Sequence, residues 1–268
     1  MKKLVFATSA FLLAFTLSSC AQSYTRSISS DIFSGKTVKA SDNYVTKQIR
    51  VKSFDEIQVS GSVDVTYTQR SGKPKVEIYT SDNVVDLLDI RVKNGCLNVG
   101  FKKNVSVKYN KLEVRVSSED LNQVNIVGSG DFEFANGLKT DNLSITVAGS
   151  SDVKGKNLST GTLKVSVAGS GDLNLGNVTA TTTKASVAGS GTVRMYGRTQ
   201  DANYSVAGSG DLLVENYVAQ NVEASVAGSG DIKCHAVKYL KAHTSGSGEI
   251  GYKGNPEVDY SDRKLYKL

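Results

Sequence analysis

A Gly-Ser-Gly-Asp tetrapeptide, or a close variant, recurs seven times in the second half of the chain at almost fixed spacing. The leading glycines are Gly128, Gly149, Gly169, Gly189, Gly208, Gly228 and Gly246, separated by 21, 20, 20, 19, 20 and 18 residues. Self-similarity at this period belongs to solenoids, whose units bury their apolar faces only against neighbouring units. Between the glycines, apolar and polar residues alternate with period two, as in Lys164–Leu175 and Lys184–Met195. Strict alternation describes strands with one buried face, and Gly-Ser-Gly between two such runs describes a tight corner. A helical solenoid would need a 3.6-residue period, and none is present.

Aligned on the glycines, the columns become explicit. Two residues before each glycine stand Ile126, Val147, Val167, Val187, Val206 and Val226. One residue after the acidic position come Phe132, Val153, Leu173, Val193, Leu212, Ile232 and Ile250. Three after it come Phe134, Gly155, Leu175, Met195, Val214, Cys234 and Tyr252. Stacked at about 4.8 Å per coil, such columns form continuous apolar ribs. The fold class expected is therefore all-β, a parallel β-helix with coils of about 20 residues. The only prolines, Pro74 and Pro256, lie outside the array, as an uninterrupted hydrogen-bond ladder requires.

The N-terminus reads as a targeting segment over residues 1–19. Lys2 and Lys3 precede a short apolar stretch from Leu4 to Phe15, too short for a spanning helix. It ends Leu17-Ser18-Ser19-Cys20-Ala21, which resembles the bacterial lipobox. That resemblance implies cleavage before Cys20, lipidation of Cys20 and attachment to a membrane through the acyl chains. Ala21 in place of an aspartate points to the outer membrane of the cell envelope, with the face undetermined. Removing Lys2 and Lys3 leaves 30 basic against 26 acidic residues, a net +4 with no basic stripe, so a nucleic-acid partner is not expected.

Residues 20–46 are polar and read as a tether, and residues 47–120 as a first, irregular β region. That region carries strands at Ile57–Thr68, Lys75–Tyr79, Leu97–Phe101 and Leu112–Val116, with a helical candidate at Asn83–Leu88. It also holds a degenerate corner, Ser60-Gly61-Ser62-Val63-Asp64. The array occupies 121–252. Residues 253–268 depart from the pattern and read as a C-terminal cap, since open solenoid ends need covering.

Each tempting chemical column has a structural alternative. The acids Asp131, Asp152, Asp172, Asp211, Asp231 and Glu249, interrupted by Thr192, offer one carboxylate per coil. Ca²⁺ takes six to eight oxygens, so backbone N–H groups of the corner are the expected partners, with a bound cation as the alternative. The serines Ser129, Ser150, Ser170, Ser190, Ser209, Ser229 and Ser247 are equivalent siblings, whereas a nucleophile needs one positioned base. The histidines are His235 and His243. His243 falls in the outward column with Ser166 and Ser186, and His235 faces opposite to Cys234, which makes a poor zinc set. Cys234 occupies an inward slot and reads as a small hydrophobe. An exported protein permits a Cys96–Cys234 disulfide. A glycosidase needs one distinct carboxylate pair, and an even ladder offers none. No catalytic residue, metal site or cofactor is expected.

The lipobox, the Phe54-Asp55-Glu56-Ile57-Gln58-Val59-Ser60-Gly61-Ser62-Val63-Asp64-Val65 opening and the Val-Ala-Gly-Ser-Gly-Asp array together resemble one family of Gram-negative bacteria, over about residues 47–250. It is the putative auto-transporter adhesin, head GIN domain family. The resemblance implies a right-handed, pectin-lyase-like β-helix, no retained catalytic residues, and a role in adhesion, with a homo-oligomer among its partners. The expectation is a non-enzymatic, lipid-anchored envelope protein contacting an unknown protein or glycan ligand. The alternative is a carbohydrate-binding or carbohydrate-active protein, against which the absence of tryptophan weighs. The breaks in the repeat, namely Thr192 with Arg194 and Arg198, the irregular first region and the caps, are where a specific site would lie.

Overall fold

The computed structural model describes residues 37–260 and 264–268. It is 72% strand and 2% helix, wound as a β-solenoid of about seven turns with coils of roughly 20 residues. The signal segment and Cys20 lie outside the described residues.

The irregular region contains β1 (Thr37–Lys39), β2 (Tyr44–Ile49), β3 (Glu56–Gly61), β4 (Asp64–Gln69) and β5 (Lys75–Ser81). Then follow α1 (Asp82–Val85), β6 (Leu88–Lys93), β7 (Cys96–Phe101), β8 (Ser106–Lys108) and β9 (Leu112–Ser118). Residues 37–46, assigned to the tether from their polarity, thus carry β1 and the start of β2. Pairing with other strands orders them: β1 with β8, and β2 with β5. The helix is shorter than Asn83–Leu88, because Leu88 opens β6 and pairs with Phe101.

The strands β3 and β4 form the first coil. They pair in parallel with β10 (Gln123–Gly128) and β11 (Phe132–Phe134), setting Val59 against Ile126 and Val65 against Phe132. On the other side, each is extended by a parallel strand and then by antiparallel ones. β3 carries β7 and β6, while β4 carries β9, β5 and β2.

The regular coils are β12 (Leu138–Gly149), β13 (Val153–Gly169), β14 (Leu173–Gly189), β15 (Thr192–Gly208), β16 (Asp211–Gly228) and β17 (Ile232–Gly246). All pair in parallel with the leading glycines in register. The two clearest ribs, from Ile126 to Val226 and from Phe132 to Ile250, are no more than 1% exposed at any position. Burying one such side chain contributes about 1.5–3 kcal/mol, so the ribs are the main source of cohesion. Gly155 interrupts the third rib because Phe134 fills its place, with a Cβ there standing 3.0 Å from the ring. Phe134 in turn packs on Phe132 at 5.0 Å and Tyr67 at 6.2 Å between ring centres.

The tail does not leave the ladder. β18 (Ile250–Lys253), β19 (Glu257–Tyr260) and β20 (Leu265–Lys267) continue it, β18 and β19 on β17 and β20 on β18. Pro256 sits just before β19, where no ladder donor is lost.

Candidate functional site

The corner is the most repeated local structure. All seven leading glycines have positive φ, between 114° and 135°. At Gly189, with φ 130°, a Cβ would overlap the Gly169 carbonyl oxygen of the coil below. That carbonyl accepts two hydrogen bonds, from Ser190 N–H at 2.8 Å and Gly191 N–H at 3.0 Å. The corner therefore closes only if backbone meets backbone, which excludes any side chain.

The acidic column completes it. Asp64 Oδ1 accepts from Asp131 N–H (3.0 Å), Asp131 from Asp152 (3.0 Å), and Asp152 from Asp172 (3.2 Å). Asp172 then accepts from Thr192 N–H at 2.9 Å. Thr192 supplies no carboxylate, and Asp211 N–H turns to the Gly191 carbonyl at 3.1 Å instead. The series resumes from Asp211 to Asp231 and from Asp231 to Glu249, both at 2.9 Å. Each aspartate carboxylate of the column thus serves the coil that follows it. Among the described residues, no three His, Cys, Asp or Glu side chains come together as a metal site. The corner serines from Ser129 to Ser247 are all exposed.

Cys234 is a free thiol, fully buried within its rib, so it is not bonded to Cys96. It faces the interior near the C-terminal end, whereas Cys96 lies in β7 beside Glu56, beyond the first coil. Burial pushes the Cys234 thiol up to about 12. Such a thiol is unreactive at neutral pH. His235 stands beside Val218, half-buried, and His243 beside Ser225, exposed.

Two recesses lie on the outer surface near the break in the repeat. One, of about 750 Å³, runs over β15 to β17 and is lined by Asn203, Ser205, Glu223, Lys241 and His243, with Asn203 donating to Glu223 at 3.1 Å. The other, of about 520 Å³, holds Arg198 among Asn177, Thr179, Gln200, Val218 and Gln220. Arg194 lies apart from it, with its guanidinium 4.0 Å from Asp172. The glutamines were not singled out from the sequence. The 19-residue spacing was the signal that leads to them.

Inside β14 to β16, polar groups replace apolar ones. Thr183 takes an inward place between Leu163 and Ala202 and meets the Tyr217 hydroxyl at 2.8 Å. Tyr204 is fully enclosed nearby, and burial raises its hydroxyl well above its ordinary value.

The comparisons agree with this architecture. Among curated proteins nothing matches the chain. A crystal structure of a putative lipid binding protein from Parabacteroides distasonis is 29% identical, with TM-score 0.83, covering 87% of this chain and 100% of its own. A putative adhesin from Parabacteroides merdae is 26% identical, with TM-score 0.81 and the same coverage. A putative adhesin from Bacteroides fragilis is 30% identical, with TM-score 0.65, covering 86% of this chain and 95% of its own. These relatives are described as adhesins or binding proteins, not as enzymes. No helix among the described residues is long and apolar enough to cross a membrane. The family model described as putative auto-transporter adhesin, head GIN domain, matches residues 53–256, and the chain belongs to that family.

Proposed function

We propose that this protein is a non-enzymatic component of the cell envelope, held to the outer membrane through lipid on Cys20, whose solenoid surface makes adhesive contacts. The observation that carries the reading is the use of the acidic column. Its aspartate carboxylates, from Asp64 to Asp231, each accept from a corner N–H group of the next coil, so the residues best suited to catalysis hold the coils together. Family membership supports the adhesive role.

Protease shaving of intact cells tests it. Loss of the protein under conditions that spare periplasmic markers is the expected result, and full protection would overturn surface adhesion. Replacing Cys20 by serine should release the protein from the membrane fraction, which checks the anchor separately.

Carbohydrate binding is a second reading, favoured by the recess around Arg198. Its lining contains no aspartate or glutamate, so it suits holding a sugar better than cleaving one.

A further inference from the structure

The coil from Gly189 to Gly208 is one residue shorter than the coils on either side. The missing residue falls at a second corner, away from the glycine column. In the preceding coil Gly176 and Asn177 separate Leu175 from Val178, whereas here only Tyr196 separates Met195 from Gly197. The ladder slips there on both sides, between Leu175 and Val178 and between Arg194 and Tyr196. Val178 faces Gly197, whose φ is 131° and where a Cβ would overlap the Val178 carbonyl oxygen. The apolar side chain expected inside is thereby lost, and Tyr217 of the next coil, paired with Gly197, is fully buried.

Outside, the shortened corner borders the recess around Arg198. The Arg198 guanidinium makes no hydrogen bond or ion pair with any described residue, and the same holds for the side-chain amides of Gln200 and Gln220. Arg115, by contrast, engages Glu113 at 2.8 Å and Glu77 at 3.3 Å. Here one cation and two amides line a carboxylate-free concavity.

A planar guanidinium matches a carboxylate through two parallel N–H donors. Amides pair with hydroxyls as both donor and acceptor. We propose that this recess binds a carboxylated sugar, with Arg198 on the carboxylate and Gln200 and Gln220 on hydroxyls. The proposal rests on the surface-contact reading, for which it names a ligand class.

The test is calorimetric titration of the full-length protein in detergent with a hyaluronan hexasaccharide and, separately, a sialic acid hexamer. Chitohexaose, which lacks carboxylates, and inorganic sulfate serve as controls. Binding of at least one acidic sugar, absent for chitohexaose and sulfate, is expected. Arg198→Gln should weaken it by roughly tenfold or more, and Arg198→Lys by less, because one charge survives without the fork. Arg91→Gln, remote in β6, should leave it unchanged. Failure of both acidic sugars, equal binding by the Arg198→Gln protein, or equal binding of sulfate would each overturn the proposal. These results report on the recess alone, whereas protease shaving reports on surface exposure, so the two readings fail separately.

Discussion

A single corner glycine illustrates how little freedom the repeat leaves. Gly189→Ala combines a strained φ with a clash against the Gly169 carbonyl, whereas Gly72→Ala, at φ 99° in open space, suffers the strain alone. Strain of this kind costs about 1–3 kcal/mol. The Gly189 variant should therefore lose clearly more stability in urea unfolding than the Gly72 variant, and equal losses would refute the close-packed corner. Titration gives a second test. Burial holds Tyr67 at about 12 and Cys234 at about 12, above their ordinary 10.0 and 9.0. The folded state thus keeps protons that the unfolded chain releases, so stability is complete below pH 9 and falls as pH rises towards 12. Each group contributes a slope of up to about 1.4 kcal/mol per pH unit within its window. Unfolding midpoints at pH 8 and pH 10.5 should differ accordingly, and Cys234 should resist thiol reagents until the protein unfolds. The inward ribs were legible in the sequence because alternation fixes which side chains face in. Tyr217 was not, because its place depends on Gly197 in the coil before it.

Among the elements, the regular strands and the first region differ in what their sequence specifies. In the array, a fixed period names each strand's partner as the strand one coil away. In the first region, alternation marks β5, β7 and β9 as strands but says nothing about partner or direction, and the antiparallel extensions follow from contacts distant in sequence. The entry to β2 is held by polar side chains. Asp82 accepts from Ser41 Oγ at 2.5 Å and from Asn43 Nδ2 at 2.8 Å, and Ser81 Oγ donates to the Ser41 carbonyl at 2.6 Å. These bonds hold the Asp82 carboxyl below its usual range. Asp82→Ala should speed amide hydrogen exchange over Tyr44–Ile49 while leaving exchange in β13 to β16 unaltered. Uniform acceleration throughout the chain would show that β2 is not an independent opening unit.

At the scale of the whole molecule, each coil contacts chiefly its two neighbours, so stability is close to a sum of coil and interface contributions. Deleting residues 170–189 joins Gly169 to Ser190 and removes one full turn in register. The product should fold with an unchanged β-type circular dichroism spectrum shape and a lower unfolding midpoint. Deleting residues 180–189 instead would shift every later rib off register and should abolish cooperative folding. Retention of folding by the ten-residue deletion would contradict the rib description. The carboxylate series adds a direction to this stack, since each acid reaches only towards the coil that follows. Together with the parallel backbone bonds, these links run along the rod. A pull between its two ends therefore loads one interface after another and opens the rod like a zip, at modest force. A pull across the rod would strain many bonds side by side. Under the proposed adhesive role, the attachment points would decide the strength of the hold as much as the chemistry of the contact.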